Sequence, residues 1–268
     1  MNTLNYTFWH RFSRMTAISS YSAFRFLLEK LKPDLVCDVG SRDAADSLNI
    51  KSFLPQAEIH AFEANPVLVD KIKSDTRVQA AGVIVNWNAV SNRTGKATFK
   101  LFSLESGNGS LRNATSEITG EGSQSYEVDC VCLGNYLSDR GKNIALWIDV
   151  EGCGYEVLEG LGDAARRVCA IHIEVETKPF WEGQKLIGDT EKLMRQMGFI
   201  PVATSLTLEA NQGNITFIRE EVLKNTPGLY KDLIRLSIGN LAAKWKLETE
   251  LPKLYKLGKL IFPRKSFR

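Results

Sequence analysis

The sequence is poor in the residues that staple, ligate or punctuate a chain. Three histidines and five cysteines are spread over 268 positions, with no Cys-x-x-Cys pair and no Cys/His spacing that would hold zinc. Cys37, Cys130, Cys132, Cys153 and Cys169 form an odd set, and four of them lie in apolar or strand-like runs. They read as reduced, mostly buried small hydrophobes of a cytoplasmic protein, not as a disulfide framework. Residues 1–16 mix Asn, His and Arg with aromatics and contain no continuous apolar stretch, so no signal peptide is expected. No run approaches the ~20 apolar residues of a membrane span. Eight prolines and 20 glycines are too few for a fibrous or low-complexity chain, and no repeat of solenoid period occurs.

What is present is ample apolar material. Hydrophobic residues make up 44% of the chain and charged residues 24%, enough for a full core and outside the composition of disorder. The net charge of +3 conceals a split. Residues 1–218 carry 22 Lys and Arg against 26 Asp and Glu, whereas residues 219–268 carry 12 against 5. An acidic body bears a basic tail, a division that concerns partners and not fold.

Hydrophobic spacing outlines the elements. Ser20 stands where it would cap a helix with Phe24, Leu27, Leu28 and Leu31 on one face, ended by Pro33. Residues 35–39 and 59–62 read as strands, each followed by a helix, over 44–53 and from Asn65-Pro66 to about residue 75. Two strand-then-helix units of this spacing point to a parallel sheet with right-handed crossovers. Residues 83–91 and 96–102 read as a hairpin turned at Asn92-Arg93-Thr94-Gly95. The polar stretch 103–125 reads as a mobile substrate loop. Strands follow over 126–133, 145–150 and 169–175, with helices over 155–161 and 189–197, and strands from Pro201 and Asn214 close the sheet as an antiparallel pair.

Acids stand at the ends of these strands. Asp38 precedes Gly40 at the first strand turn, and Glu63 closes the next strand at the distance where an acid reaches ribose hydroxyls in a doubly wound sheet. A carboxylate suits that task because it accepts both hydroxyl hydrogens of a diol. Dinucleotide binding would need a G-x-G-x-x-G turn, but Arg42, Asp43 and Ala44 follow Gly40, so a nucleoside without a pyrophosphate fits better. Asp149 and Glu151 end the long apolar strand, and His172 and Glu174 lie in the following one. The plain alternatives are a helix cap for Asp38, solvated loop or rim acids for Glu63, Glu151 and Glu174, and a satisfied strand histidine for His172.

In order, Asp38-Val-Gly-Ser-Arg-Asp, Ala61-Phe-Glu-Ala-Asn-Pro66, Asn88-Ala-Val-Ser91 with Gly95, and Asp149-Val-Glu-Gly152 with Tyr155-Glu-Val-Leu158 and Gly160 resemble the FkbM-type methyltransferases. The resemblance spans about residues 35–219. It implies an α/β fold, the class I methyltransferase Rossmann-like sheet, mostly parallel with a closing antiparallel strand pair. Residues 1–33 and 220–268 would then be N- and C-terminal helical extensions of a methyltransferase domain at 34–219. It also implies S-adenosylmethionine as methyl donor and O-methylation of a hydroxyl, often on a sugar or polyketide-type product. Asp38, Gly40, Ser41 and Arg42 match the donor-binding turn, Glu63 with Ala64 and Asn65 the ribose loop, and Asn88 with Ala89 the segment bordering the adenine. Asp149 and Glu151 match the acidic catalytic edge. Three positions depart from the family pattern: Ala44 replaces a glycine, Gly154 a second glutamate, and Gly134 an aspartate.

Methyl transfer to a hydroxyl needs an aligned, desolvated oxygen and a base within reach, and no metal. Asp149, then His172, are the expected base, with Glu151 and Glu174 gripping acceptor hydroxyls. An acidic crevice disfavours nucleic acid and favours a neutral glycan, for instance of a surface polysaccharide. Trp87, Trp181 and Trp245 are candidate sugar platforms or packing residues. The contrasting reading, prompted by Ala44 and Gly154, is a degenerate domain that binds a nucleoside or a partner without catalysis. Six Lys or Arg and no acid fall in residues 251–268 among Leu, Tyr, Ile and Phe, a pattern suited to peripheral contact with an anionic membrane at its cytoplasmic face.

Overall fold

The computed structural model of the chain describes residues 3–15, 18–102, 108–118, 124–206 and 211–237. In chain order the elements are α1 (Thr3–Met15), α2 (Ser20–Leu31), β1 (Leu35–Val39), α3 (Ala45–Phe53), β2 (Glu58–Glu63), α4 (Pro66–Ser74), α5 (Thr76–Ala81) and β3 (Ile84–Trp87). Next come β4 (Ala89–Ser91), β5 (Gly95–Leu101), β6 (Gly109–Ser110), β7 (Gln124–Cys132), α6 (Leu133–Tyr136), β8 (Ile144–Ile148) and α7 (Gly154–Glu159). A 3-10 turn (Gly162–Arg167), β9 (Val168–Glu176), α8 (Ile187–Gln196), β10 (Phe199–Thr204), β11 (Gln212–Arg219) and α9 (Glu220–Asn225) follow, and residues 229–237 are again helical. Among the described residues no helix is long and apolar enough to cross a membrane.

The main sheet runs β3-β2-β1-β8-β9-β11-β10. Its first five strands are mutually parallel, and β11 enters antiparallel between β9 and β10. Leaving out β11, this is the doubly wound order, and its switch point falls between β1 and β8, where a ligand crevice forms outside the strand ends. The closing antiparallel pair expected from the sequence is present, with Phe199 opposite Arg219 and Ile200 opposite Ile218. β8 is buried at every position, as a central parallel strand covered on both faces must be. One face packs Val36, Ile59 and Ala145 against Phe24, Leu27 and Leu28 of α2. The other packs Val39, Leu146 and Ile173 against Val157, Leu158 and Leu161.

Three local expectations change. Residues 83–91 are not one strand of a hairpin: β3 extends the main sheet beside β2, while β4 crosses to a second sheet, β4-β7-β5-β6, where it pairs with β7. Asn88 is the point of exchange, and β5 pairs with β7 and β6 instead of with its predecessor. The α2 cap is Ser19, one residue before Ser20, with its hydroxyl accepting from the Ser22 amide at 3.1 Å. Ala44 is not helical: it precedes α3 at φ 59°, a left-handed conformation that a glycine adopts without steric cost.

His172 anchors α2 to the sheet. It is buried, stacked 4.2 Å from the Trp147 ring, and its Nδ1 lies 2.9 Å from Thr216 Oγ1. The Thr216 hydroxyl donates to the Ser20 carbonyl at 2.7 Å, so its oxygen accepts from a protonated Nδ1. Burial drives the His172 pKa down to about 3, which keeps the ring neutral. Replacing Thr216 by Val strands the buried His172 Nδ1 and removes a second bond from the Ser20 carbonyl, and it is expected to destabilise the fold by about 2 kcal/mol, read as a lower urea midpoint at unchanged slope.

Candidate active site

β1 delivers its chain into a turn that leaves little choice of residue. Gly40 has φ 86°, and a Cβ there would meet the Asp149 carbonyl oxygen at 1.9 Å. The amides of Gly40 and Ser41 donate to the Phe62 carbonyl at 3.0 and 2.9 Å, and the Asp149 amide donates to Val39 at 2.9 Å. The ends of β1, β2 and β8 are thereby held at one point. Asp38 sits beneath them, buried, with Oδ2 accepting from Ser47 at 2.6 Å and Ser41 at 3.1 Å. Its Oδ1 has no hydrogen-bond partner, and burial raises the Asp38 pKa to about 7.

Glu63 ties the second loop to the first. Its two carboxylate oxygens accept from the amides of Arg42 and Asn65, both at 2.7 Å. Burial raises its pKa, opposed by those backbone bonds. Asn65 caps α4 through Oδ1, which accepts from the Val67 amide at 2.9 Å, while its buried Nδ2 has no partner. Ala64 accepts from the Trp87 indole at 3.3 Å, and Trp87 is 47% exposed beside the loop, away from the core role. Ala89 is buried in the second sheet, directly after the half-buried Asn88.

Asp149, Glu151 and Glu174 meet at the ends of β8 and β9. Asp149 is hydrogen-bonded to Glu174, and enclosure by protein raises its pKa although its side chain remains accessible to solvent. Burial together with Asp149, Glu151 and Glu176 pushes Glu174 far above the carboxylate range. Two carboxylates so placed share a proton, and Glu174 is the one pushed far up by burial and by its acidic neighbours. Burial and Asp149 raise Glu151 to about 7. His172 does not join this group: it lies sealed under Trp147 and Phe24, in the network already described.

Sequence reasoning missed several members. Glu176, two residues on from Glu174 along β9 and so on the same strand face, is raised by burial to about 8, and Asp46 in the first turn of α3 to about 6. Alternation along β9 was the available signal for Glu176. The polar stretch was read as a mobile substrate loop; of its described residues, 108–118 are tied down by hydrogen bonds. Arg112 donates to Gly152 O (2.9 Å), Glu182 O (2.9 Å) and Glu156 Oε1 (2.5 Å), and Ser110 donates to Glu151 O at 2.7 Å. Trp181 is buried beneath this strap, where its indole donates to Glu151 Oε2 at 3.3 Å, and a Cβ on Gly152 would lie 2.4 Å from its ring. Trp245 lies outside the described residues. Gly134 has its own reason: a Cβ there would lie 2.8 Å from the carbonyl oxygens of Gly160 and Leu161, so aspartate does not fit.

The FkbM methyltransferase domain family matches residues 38–201. No curated protein matches the sequence. Among solved structures the chain is similar to a precorrin-6y C5,15-methyltransferase from Geobacter metallireducens GS-15, at 13% identity over 76% of this chain and 90% of that one, with a TM-score of 0.41. It is likewise similar to the magnesium protoporphyrin IX methyltransferase of Synechocystis PCC 6803, at 13% identity over 74% and 75% of the two chains, TM-score 0.42. The N-terminal domain of EvdMO1, solved with S-adenosylhomocysteine and D-fucose, is 13% identical over 75% and 81%, TM-score 0.42.

Two outcomes follow from this geometry. Gly40→Ala forces a left-handed alanine into the Asp149 carbonyl and is expected to cost roughly 3 kcal/mol or more, lowering the melting temperature sharply. Carboxylates whose folded pKa is raised bind protons that the unfolded chain has lost, so they withdraw stability as pH rises through 7 to 8. His172, lowered in the fold, adds stability with rising pH only up to the unfolded imidazole value of about 6.5, where that window begins. The melting temperature of the ligand-free protein should fall from about pH 6.5 to about pH 8.5, and Glu174→Gln should flatten that slope.

Proposed function

The chain belongs to the FkbM methyltransferase family, and on that premise we propose that it is an O-methyltransferase acting on a sugar hydroxyl of a glycan. The sheet is the class I methyltransferase sheet, and S-adenosylmethionine is the methyl donor. Buried groups at the strand ends suit such a ligand. Asp38 Oδ1 is an acceptor lacking a donor, Asn65 Nδ2 a donor lacking an acceptor, and Glu63 retains lone pairs beyond its two amide bonds. Asp38, with Gly40, Ser41 and Arg42 at the turn, would hold the amino-acid end, and Glu63, Ala64 and Asn65 the ribose. Asn88 and Ala89 would border the base.

The observation that carries the reading is the Asp149–Glu174 pair. When bound, S-adenosylmethionine supplies an electrophilic methyl group on a cationic sulfur that leaves as a neutral thioether. Asp149, accessible and kept the ionised partner by the Glu174 proton, takes the acceptor hydroxyl proton as the oxygen bonds the methyl carbon. Glu151, fixed by Trp181 and Ser110, orients a neighbouring hydroxyl. The ionised Asp149, with Glu151 partly ionised beside it, adds negative potential that favours a cationic donor and disfavours phosphates. The base role considered for His172 passes to Asp149, because a neutral imidazole enclosed by Trp147, Phe24 and Thr216 has no path to an acceptor. Its contribution is to position β9 and its acids.

The absence of a carboxylate at Gly154 favours the second, non-catalytic reading, but Glu174 brings an acid to the same strand end, and the carbonyl oxygen of Glu174 lies 3.7 Å from where a Gly154 Cβ would be. Titration calorimetry with S-adenosylmethionine, followed by acceptor screening, separates the two. Asp149→Asn is expected to lower turnover by about 100-fold or more while donor affinity stays within a few-fold. Loss of donor binding instead moves Asp149 into the donor site, and binding by the native chain with no acceptor methylated favours the non-catalytic domain. Mass spectrometry of surface glycans from a deletion strain should reveal the methyl group that goes missing.

A further inference from the structure

α1 carries two apolar stripes where a docked helix needs one. Tyr6, Trp9 and Ser13 are buried, the seam expected for packing against β10 and α8. Phe8, Arg11, Phe12 and Met15 recur at the same helical spacing on another side, with Phe8 43% and Met15 76% exposed. The Phe8 ring stacks on Phe12 at 6.0 Å and on Tyr230 at 6.4 Å, and Tyr230 is 45% exposed in the helical stretch 229–237. These form a contiguous aromatic ledge on the surface, built from both ends of the described chain.

Cations outnumber acids around the ledge. α1 contains no Asp or Glu, and Arg11 and Lys231 are exposed beside it. The acids nearest in the surrounding helices are engaged: Glu191 faces His10 at 3.1 Å and Arg14 at 3.4 Å, and Asp232 faces Lys30 at 3.2 Å. The chain leaves this same place into residues 238–268, which hold eight Lys or Arg and two Glu. In residues 251–262, Lys253, Lys256 and Lys259 alternate at intervals of three with Leu254, Leu257 and Leu260.

We propose that the ledge of Phe8, Phe12, Met15 and Tyr230 docks on an anionic lipid surface, with the cations in the sequence after residue 237 adding to the attraction. Half-exposed aromatic rings suit the interfacial layer, where an apolar body and a wet edge are both accommodated. Cationic side chains beside them gain about 1 kcal/mol each near an anionic leaflet, a factor of roughly five in binding. A single weak anchor binds reversibly, and an aromatic ledge with a basic segment supplies two. This surface is independent of the methyl-transfer reading, since neither the ledge nor the segment belongs to the donor or acceptor groups.

Flotation of the full chain with phosphatidylcholine vesicles, with and without phosphatidylglycerol, tests it. The chain should float with the anionic vesicles only, and less as salt is raised. Phe8→Ser with Tyr230→Ser should lower the bound fraction about tenfold, and Lys256→Glu with Lys259→Glu at least as much. Unchanged S-adenosylhomocysteine affinity or an unchanged melting temperature certifies that each variant is folded. The proposal is overturned if the native chain does not float, or if the ledge variant floats as well as the native chain. It is equally overturned if the ledge mediates self-association that the same variant abolishes without lipid.

Discussion

Carboxylates crowded at the ends of β1, β8 and β9 cannot all ionise together, and much of the molecule is arranged around that constraint. Asp38, Asp46, Asp149, Glu151, Glu174 and Glu176 all have pKa values raised chiefly by burial. Leaving several of them partly protonated is the cheapest state of the ligand-free fold, because desolvated like charges repel strongly. That state is also poised: a cation brought among them lowers their pKa values and draws protons off. The strain is held by tight connections that do not depend on ligand, chiefly the Gly40 turn on the Phe62 carbonyl and the Asp149 amide on Val39.

Holding acids in such proximity requires a wall that does not yield. The strap at 108–118 supplies it by bonding two loops at once, the one after β8 and the one after β9. Arg112 reaches Gly152, Glu156 and Glu182, and Asn113 donates to Glu182 at 2.6 Å. Charge-assisted bonds of a planar guanidinium fix direction as well as distance. Gly152 is then obligatory, since its φ of 71° and the Trp181 ring leave no room for a side chain. Trp181 is thus used as packing, and its single polar atom is spent on Glu151.

Much of the sheet was legible because parallel central strands are written as continuous apolar runs and helices as three-and-four spacing. β1, β8 and β9 fall where residues 35–39, 145–150 and 169–175 indicated, and their terminal acids share one edge because the sheet is parallel. The exchange at Asn88 was not legible, because a strand that leaves one sheet for another keeps the same residue pattern. α1 falls inside the helical extension expected over residues 1–33, but where it starts and stops was not marked, because it has no acidic residue in its first turn and no proline beside it. His172 shows the limit for side chains. Its place in the strand was correct, but whether an imidazole meets water or Thr216 depends on β11, 44 residues away.

The charge split between body and tail acquires a physical sense from these distances in the fold. A segment with six cations and no acids in residues 251–268 is attracted to any acidic surface, including the carboxylate edge of its own body. Lying there, it would pull the raised pKa values down and compete with a sulfonium for the same potential. α1 and residues 229–237 carry the chain's departure point to the β10 side of the sheet, with β11 and β9 between it and the β8 and β1 strand ends. Cations engaged by lipid at that ledge are withdrawn from the edge, so the acids remain free for a cationic donor. Opposite charges on one chain can serve different partners only if each has a stronger partner than the other.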